Sequence, residues 1–194
     1  VLASDYVATG KYAATRPQAS FANAGEVTLN NVTFTTHIDV DTTNDTLAAS
    51  IYNAGTLNIK NSKFIDSTIS TNTVRCLGLI DNAGGNLNIE NTIFDKNSMI
   101  DSSTDSVVYA NGLIYNMGTL TLTNVNMTNN YMKTPESSRG LIRGYTDSAI
   151  TINNSIFENN TLEHTGTYAQ GTVIYAESGS LSISNSKFIK NTGA

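Results

Sequence analysis

The chain has no tryptophan, one cysteine and two prolines, and only 14% of its 194 residues are charged. A lone cysteine, Cys76, can form no internal disulfide. No metal-ligand spacing surrounds it, so it reads as a small buried hydrophobe in preference to a reactive thiol. Typical soluble domains carry about a quarter charged residues; here Ser, Thr and Asn take their place on the surface. The charge that remains is acidic, with a formal net of −5. No basic patch with interleaved aromatics occurs, and together these exclude a nucleic-acid phosphate backbone as partner. No apolar run approaches about 18 residues, so nothing in this stretch spans a membrane. No cationic segment followed by an apolar one opens the chain, and no signal peptide is expected within it.

What the chain does have is repetition. The string IYNAGTLNIKNSKF at residues 51–64 recurs as FANAGEVTLNNVTF (21–34), IDNAGGNLNIENTIF (80–94), IYNMGTLTLTNVNM (114–127), IRGYTDSAITINNSIF (142–157) and IYAESGSLSISNSKF (174–188). Within the unit, Leu57 and Ile59 alternate with Asn58 and Lys60, the period of a strand with one face buried. Val27 and Leu29, Leu87 and Ile89, Leu120 and Leu122, Ile150 and Ile152, and Leu181 and Ile183 repeat the pair. A second short strand ends on Phe34, Phe64, Phe94, Met127, Phe157 or Phe188. A third opens each unit on an inward Ile51, Ile80, Ile114, Ile142 or Ile174, with Phe21 in the same place.

Three short strands and three bends make one coil, and no single coil can bury its own apolar face. Coils must therefore stack in register, which predicts an all-β chain: a parallel β-helix of about six coils, roughly 29 Å long at the strand spacing. Between the two later strands falls an Asn in every unit: Asn31, Asn61, Asn91, Asn124, Asn154 and Asn185. Asn tolerates the left-handed conformation, and its amide can both donate and accept, so these six are expected to form a stacked ladder along a buried bend. On that reading Asn124→Ala costs on the order of 1–3 kcal/mol.

Residues 1–20 carry no clear repeat and read as a partial coil or a cover, with residues 21–194 as the β-helix. No capping segment follows the last repeat, and an open coil end is an exposed edge. The stretch therefore reads as a piece of a longer protein, either monomeric or prone to end-to-end association. Between repeats run connections of uneven length, residues 35–50, 65–79, 95–113, 128–141 and 158–173. Most close on Gly before the opening Ile (Gly78, Gly112, Gly140, more loosely Gly171), so all insertions are expected on one edge, where repeat proteins often bind.

Beside that edge the residue after each opening Ile should face out, giving a stacked row of Tyr52, Asp81, Tyr115, Arg143 and Tyr175. Leu79, Leu113, Leu141 and Val173, just before the Ile, should also face out. Aromatics with Asp and Arg on a flat sheet suit a sugar chain, whose rings stack on tyrosines while polar groups take the hydroxyls. The alternative is that the loops fold back and the tyrosines merely cover the sheet.

Catalysis finds less support. Glycoside hydrolysis needs two carboxylates about 5–10 Å apart. Asp95 and Glu158 are equivalent but two coils apart, with Thr128 between, and Asp66, near Asp95, reads like the others as a solvated acid. Arg75, Arg139 and Arg143 could clamp a substrate, yet no Asp cluster joins them. His37 and His164 are four coils apart, about 19 Å, and share no site. No cofactor is expected. Calcium is the weak exception: residues 39–45 begin like an oxygen-ligand loop but lack the Gly and closing Glu of an EF-hand, and Asp101 with Asp105 makes a second acidic loop. Sequons occur at Asn31, Asn44, Asn126, Asn153 and Asn159, and a glycan at Asn31 would disturb the ladder.

The Gly-x-Ile openings together with Phe-x-x-Asn endings (Phe94 to Asn97, Phe157 to Asn160, Phe188 to Asn191) resemble the repeats of chlamydial polymorphic membrane proteins. The low charge and the Asn, Thr and Ser content resemble even more the adhesin-like surface proteins of methanogenic archaea. Both belong to the pectate-lyase-like superfamily. The resemblance covers residues 20–194 and departs at Met127, at His37 and Ser67 where the ending Asn is missing, and in a single Gly where the chlamydial repeat has two. It implies a right-handed β-helix and an extracellular, cell-surface segment in cell adhesion, with a glycan or a surface protein as partner. A polysaccharide lyase or glycoside hydrolase in the same groove, and an inert stalk, are the competing readings.

Overall fold

The structure, a computed structural model, describes residues 2–8, 18–40, 48–71, 75–76, 78–102, 109–110, 112–135, 137–164, 166, 168–169 and 171–193. Every regular element among them is a β-strand. All strand pairings are parallel, and each joins a strand to its equivalent one level along the stack. The chain is a right-handed parallel β-helix.

Two sheets are six strands deep. The opening sheet runs Gln18–Asn23, Ala48–Asn53, Ile80–Asn82, Ile114–Asn116, Ile142–Gly144 and Ile174–Ala176. The alternating sheet runs Glu26–Asn30, Thr56–Lys60, Asn86–Glu90, Thr119–Thr123, Ser148–Asn153 and Gly179–Ser184. Register is like on like: Leu57, Leu87, Leu120, Ile150 and Leu181 form one row, with Val27 at its start. The inner members of these rows are fully buried, which gives the period-two pattern its physical cause. The phenylalanines stack face to face, Phe34 on Phe64 at 4.4 Å and Phe64 on Phe94 at 4.5 Å between ring centres. Met127 takes the next place, and Phe157 with Phe188 resumes the stack at 4.8 Å.

The coil has more strands than the repeat suggested. After the Phe strand the chain bends and enters Thr68–Thr71, Ser98–Asp101, Tyr131–Thr134 or Thr161–His164, all within segments expected to be loops. Their apolar residues Ile69, Met99, Met132 and Leu162 point into the same core. In the first coil Thr33–Val40 runs straight through both positions and joins everything into one twelve-stranded sheet. The remaining insertions contribute a fourth, small sheet of Arg75–Cys76, Tyr109–Ala110, Ser137–Ser138 and Tyr168–Ala169. Cys76 thus sits on a strand, but its side chain lies outside the described residues, as do Asn44 and Asp105. At the N-terminus, Leu2–Ala8 pairs with residues 34–40 and extends the long sheet one level beyond the other two.

The asparagine ladders are real, and the buried ones run through other residues than expected. Asn31, Asn61, Asn91, Asn124, Asn154 and Asn185 all adopt φ between 50° and 58°, as the bend requires, but their side chains are exposed. They bond outside the rod, Asn124 to Asn91 at 2.8 Å, Asn91 to Asn61 at 3.3 Å, and Asn61 to Asn30 at 2.9 Å. Because the left-handed residue turns its side chain outward, the inner polar position at this bend falls to the next residue, the buried Ser62, Thr92 and Ser155.

Two buried amide ladders occupy the other bends. Along the first, Asn23 donates to Asn53, Asn53 to Asn82, and Asn82 to Asn116, at 2.8, 2.7 and 2.6 Å. Along the third, Asn97 donates to Asn130, Asn130 to Asn160, and Asn160 to Asn191, at 3.0, 2.9 and 2.8 Å. Ser67 and Thr36 take the equivalent places in the first coils, where backbone amides carry the line on: that of Ser67 donates to Asn97 Oδ1 and that of Thr36 to Ser67 Oγ. Each rung meets buried backbone groups that water cannot reach, the condition under which a polar residue belongs inside.

Leu79, Leu113, Leu141 and Val173 are also inside, against expectation. Gly78, Gly112 and Gly140 take φ of 87°, 84° and 75°, and the chain turns sharply there. The amides of Leu79 and Ile80 both donate to Leu113 O, each at 2.9 Å, and those of Leu113 and Ile114 both donate to Leu141 O. Two successive amides aimed the same way break the strand alternation, so both side chains enter the core.

Candidate functional site

The opening sheet assembles the expected row. Tyr52 pairs with Asp81, Asp81 with Tyr115, Tyr115 with Arg143, and Arg143 with Tyr175. The row is covered over most of its length: Asp81 is 2% exposed, Tyr115 8% and Arg143 4%. Tyr52 and Tyr175 are half-buried. A chain of sugars cannot lie along three side chains that water does not reach.

Burial sets the electrostatics. Removal from water pushes the Asp81 carboxyl up from 3.8 to about 7, and its Oδ1 has no hydrogen-bond partner among the described residues. Burial also pushes the Tyr115 phenol up to about 12; the nearby Asp81, Tyr145 and Glu177 add to this, and Arg143 opposes it. Charge is not left unbalanced at the far end of the row. The Arg143 guanidinium lies 5.2 Å from the ring centre of Tyr115 and 5.1 Å from that of Tyr145. It meets the Glu177 carboxylate at 3.0 Å, which also holds Arg139 at 3.3 Å. Arg139 in turn lies 6.0 Å from the Tyr175 ring centre. Stacked guanidinium and a shared carboxylate are how a buried arginine keeps its charge.

Tyr145 and Glu177 escaped the sequence reading, yet the repeat marks them. The backbone amides of Ala54, Ala83, Met117, Tyr145 and Glu177 make the same bond, each to the carbonyl of the ladder position one level back. Ala gives way to larger residues only in the later coils, where the cluster forms. The ladder fails there too, because Gly144 follows Asn116 in register. A Cβ at Gly144 would sit 2.7 Å from Ser148 Oγ and 2.8 Å from Ile150 Cδ1.

The other acids are apart or engaged. Register places Ile65, Asp95, Thr128, Glu158 and Ile189 in one outer row, so Thr128 does separate the two carboxylates. Slight burial works against the charge on Asp95, but hydrogen bonds from Thr128 and Asn129, with Lys96 nearby, outweigh it and hold the carboxyl below its usual range. Asp66 occupies an exposed bend at φ 52°. His37 and His164 lie on strands four pairings apart in the long sheet. Ser70 donates to Asp39, which also faces His37 at 3.6 Å. Asp101 is buried, and residues 41–47 lie outside the described residues. No group of three possible metal ligands gathers among the described residues.

A more open surface lies on the outer face of the alternating sheet. A shallow groove of about 380 Å³ is lined by Asn58, Lys60, Asn88, Glu90, Thr121 and Thr123, with Ile89 at its base. Asn88 donates to Asn58 at 2.9 Å, and Lys60 pairs with Glu90 at 3.2 Å. These side chains project from successive in-register strands, so amides, hydroxyls and one ion pair are held at a fixed spacing.

Compared with protein families, curated proteins and solved structures, the chain matches none.

Proposed function

We propose that this chain is an extracellular, adhesin-like segment that attaches a cell surface to a glycan or a partner surface. The observation that carries the reading is the groove on the alternating sheet, an in-register array of amides and hydroxyls around Asn58, Asn88 and Thr121 flanked by the Lys60–Glu90 ion pair. Amides and hydroxyls fixed by a sheet can exchange hydrogen bonds with sugar hydroxyls at little ordering cost. The resemblance of the Gly-x-Ile and Phe-x-x-Asn repeats to chlamydial surface proteins, and of the low charge and Asn, Thr and Ser content to archaeal adhesin-like proteins, supports the location and role. Burial of Asp81, Tyr115 and Arg143 moves the contact off the tyrosine row and gives that row a structural part.

A second reading, a polysaccharide lyase or hydrolase, turns on the Asp81 carboxyl, which burial pushes up to about 7, into the range of a general acid near neutrality; at 2% exposure it meets a sugar only where the side chains around it move aside. A single experiment separates the readings. A panel of neutral and acidic polysaccharides is incubated with the protein, with and without calcium, and resolved by size-exclusion chromatography. Intact polysaccharide that co-elutes with the wild type, and no longer does with the Asn88→Ala, Thr121→Ala double variant, is the expected result. Shortened polysaccharide, lost in Asp81→Asn, would establish the enzyme. No change with any glycan would leave a protein ligand or an inert stalk.

A further inference from the structure

The groove on the alternating sheet has a direction. Its sides are two rows of outward side chains, Asn58, Asn88 and Thr121 on one and Lys60, Glu90 and Thr123 on the other, with Ile89 at the base. Each row takes one residue from each level, so the groove runs along the stack and crosses the strands. The first row continues in register to Thr28 on one side and Thr151 on the other. Levels repeat at about 4.8 Å, and rows two residues apart on a strand are roughly 6.6 Å apart.

Hydrogen bonding is what these rows offer. Asn88 gives one N–H to Asn58 Oδ1 at 2.9 Å. The N–H groups of the Asn58 side chain, the Asn88 side-chain oxygen and the Thr121 hydroxyl have no protein partner among the described residues. Neither row carries an aromatic ring, so a sugar is not held here by stacking on its face. The charge of Lys60 is answered by Glu90 within the same row. The ligand that matches presents uncharged hydroxyls along its edges, once per level and in a straight line.

We propose that this groove takes a neutral, extended, β-linked polysaccharide lying along the stack, one sugar ring to each level. The inference rests on the glycan reading above and names the class of glycan. In an extended β-(1→4) chain each ring advances by slightly more than the spacing of adjacent strands and carries its equatorial hydroxyls at the edges, where amides and hydroxyls in register meet them in turn. Register therefore holds for a few rings and then drifts, so affinity should climb with length and level off. An α-(1→4) chain coils and takes its hydroxyls away from a straight row. An acidic chain would meet the repulsion of a protein with net charge −5. Asn58 and Asn88 already hold one another in place, which lowers the ordering cost of binding.

Isothermal titration of the full chain tests this with three oligosaccharide series of two to six rings: β-(1→4)-linked glucose, β-(1→4)-linked N-acetylglucosamine and α-(1→4)-linked glucose. At least one β series should bind, tightening about threefold with each ring from two to four, and the α series should be at least about tenfold weaker at equal length. Two double variants fix the direction. Thr28→Ala with Thr151→Ala lies along the row beyond the central levels and should weaken the six-ring ligand about threefold or more while sparing the three-ring one. Asn86→Ala with Thr119→Ala lies across the strands, outside the groove, and should change neither. Equal affinity for the α and β series, affinity that does not rise with length, or a loss in the second variant in place of the first would each overturn the inference and leave the glycan reading standing. Binding of none of the three series overturns it too, and the glycan reading then stands or falls on the wider polysaccharide panel.

Discussion

The side-chain oxygen of Asn130 accepts two hydrogen bonds from Asn97, one from its backbone amide at 3.1 Å and one from its side chain at 3.0 Å. Asn130 in turn donates to Phe94 O and to Asn160. One buried amide thus satisfies groups on two neighbouring levels. Asn130→Ala removes the partner of two Asn97 donors and of Phe94 O away from water, while Asn160 Oδ1 keeps the Asn130 backbone amide, and should cost about 3 kcal/mol. Asn124, exposed at φ 54°, is different in kind. Asn124→Gly removes only an outer bond and keeps the left-handed bend at no steric cost, so it should change stability by less than about 1 kcal/mol. Urea unfolding of the two variants checks the contrast; equal losses would mean that the outer row, as first expected, bears the load.

That contrast marks how far the sequence could be read. Leu57 with Ile59, and their equivalents, announce strand, face and stacking partner because the side-chain period is local. The left-handed asparagines were legible for the same reason. Whether an asparagine faces in or out was not, since Asn61 and Asn97 both follow a strand and differ only in which residue of the bend turns left-handed. Ile69, Met99 and Met132 went unread as a strand because the uneven lengths that follow them blurred the alignment. The row of Tyr52, Asp81, Tyr115, Arg143 and Tyr175 was placed correctly in register, but the burial of its middle members is a matter of tertiary packing, and no local pattern reports that. Asn23, Asn53, Asn82 and Asn116 stood at the third position of four repeats and could have been found there.

Close approach at the first bend gives a second test. A Cβ on Gly118 would lie 2.2 Å from Gly85 O and 2.7 Å from Gly84 C, both backbone atoms in the adjacent level. Gly118→Ala should therefore force the two levels apart and cost about 2–3 kcal/mol. Gly84 has φ 86° but nothing within 4 Å of its would-be Cβ. Gly84→Ala meets only the left-handed penalty, about 1 kcal/mol. Thermal unfolding should rank the two in that order.

Glu177 couples two arginines, and the coupling should be measurable. Its carboxylate lies 3.0 Å from Arg143, almost wholly buried, and 3.3 Å from the more accessible Arg139. Glu177→Gln takes the carboxylate away from the Arg143 charge and leaves the rings of Tyr115 and Tyr145 beside it. Because Glu177 is itself partly solvated, the loss should be moderate, about 1–2 kcal/mol. A double-mutant cycle with Arg143→Met should recover part of that, since the variant lacking both no longer holds the buried Arg143 charge away from its carboxylate, although Arg139 still loses it; additive losses would show that the Arg143 ion pair contributes little.

Asp81 should impose a pH dependence of unusual sign for a carboxylate. Its pKa rises from 3.8 to about 7 in the folded chain because burial disfavours the charge. Between those values the folded state binds more protons than the unfolded one, so stability falls as pH rises. The contribution is complete below about pH 3.8 and gone above about pH 7. A difference of roughly three pKa units corresponds to about 4 kcal/mol. Asp81→Asn keeps the shape of the protonated acid and cannot ionise. It should match the wild type near pH 4, exceed it by a few kcal/mol at pH 8, and flatten the profile between. Urea unfolding of both chains from pH 4 to 8 decides the matter. Parallel profiles for the two chains would mean that Asp81 ionises freely and that the row is open to water, which would return the tyrosines to the list of binding residues.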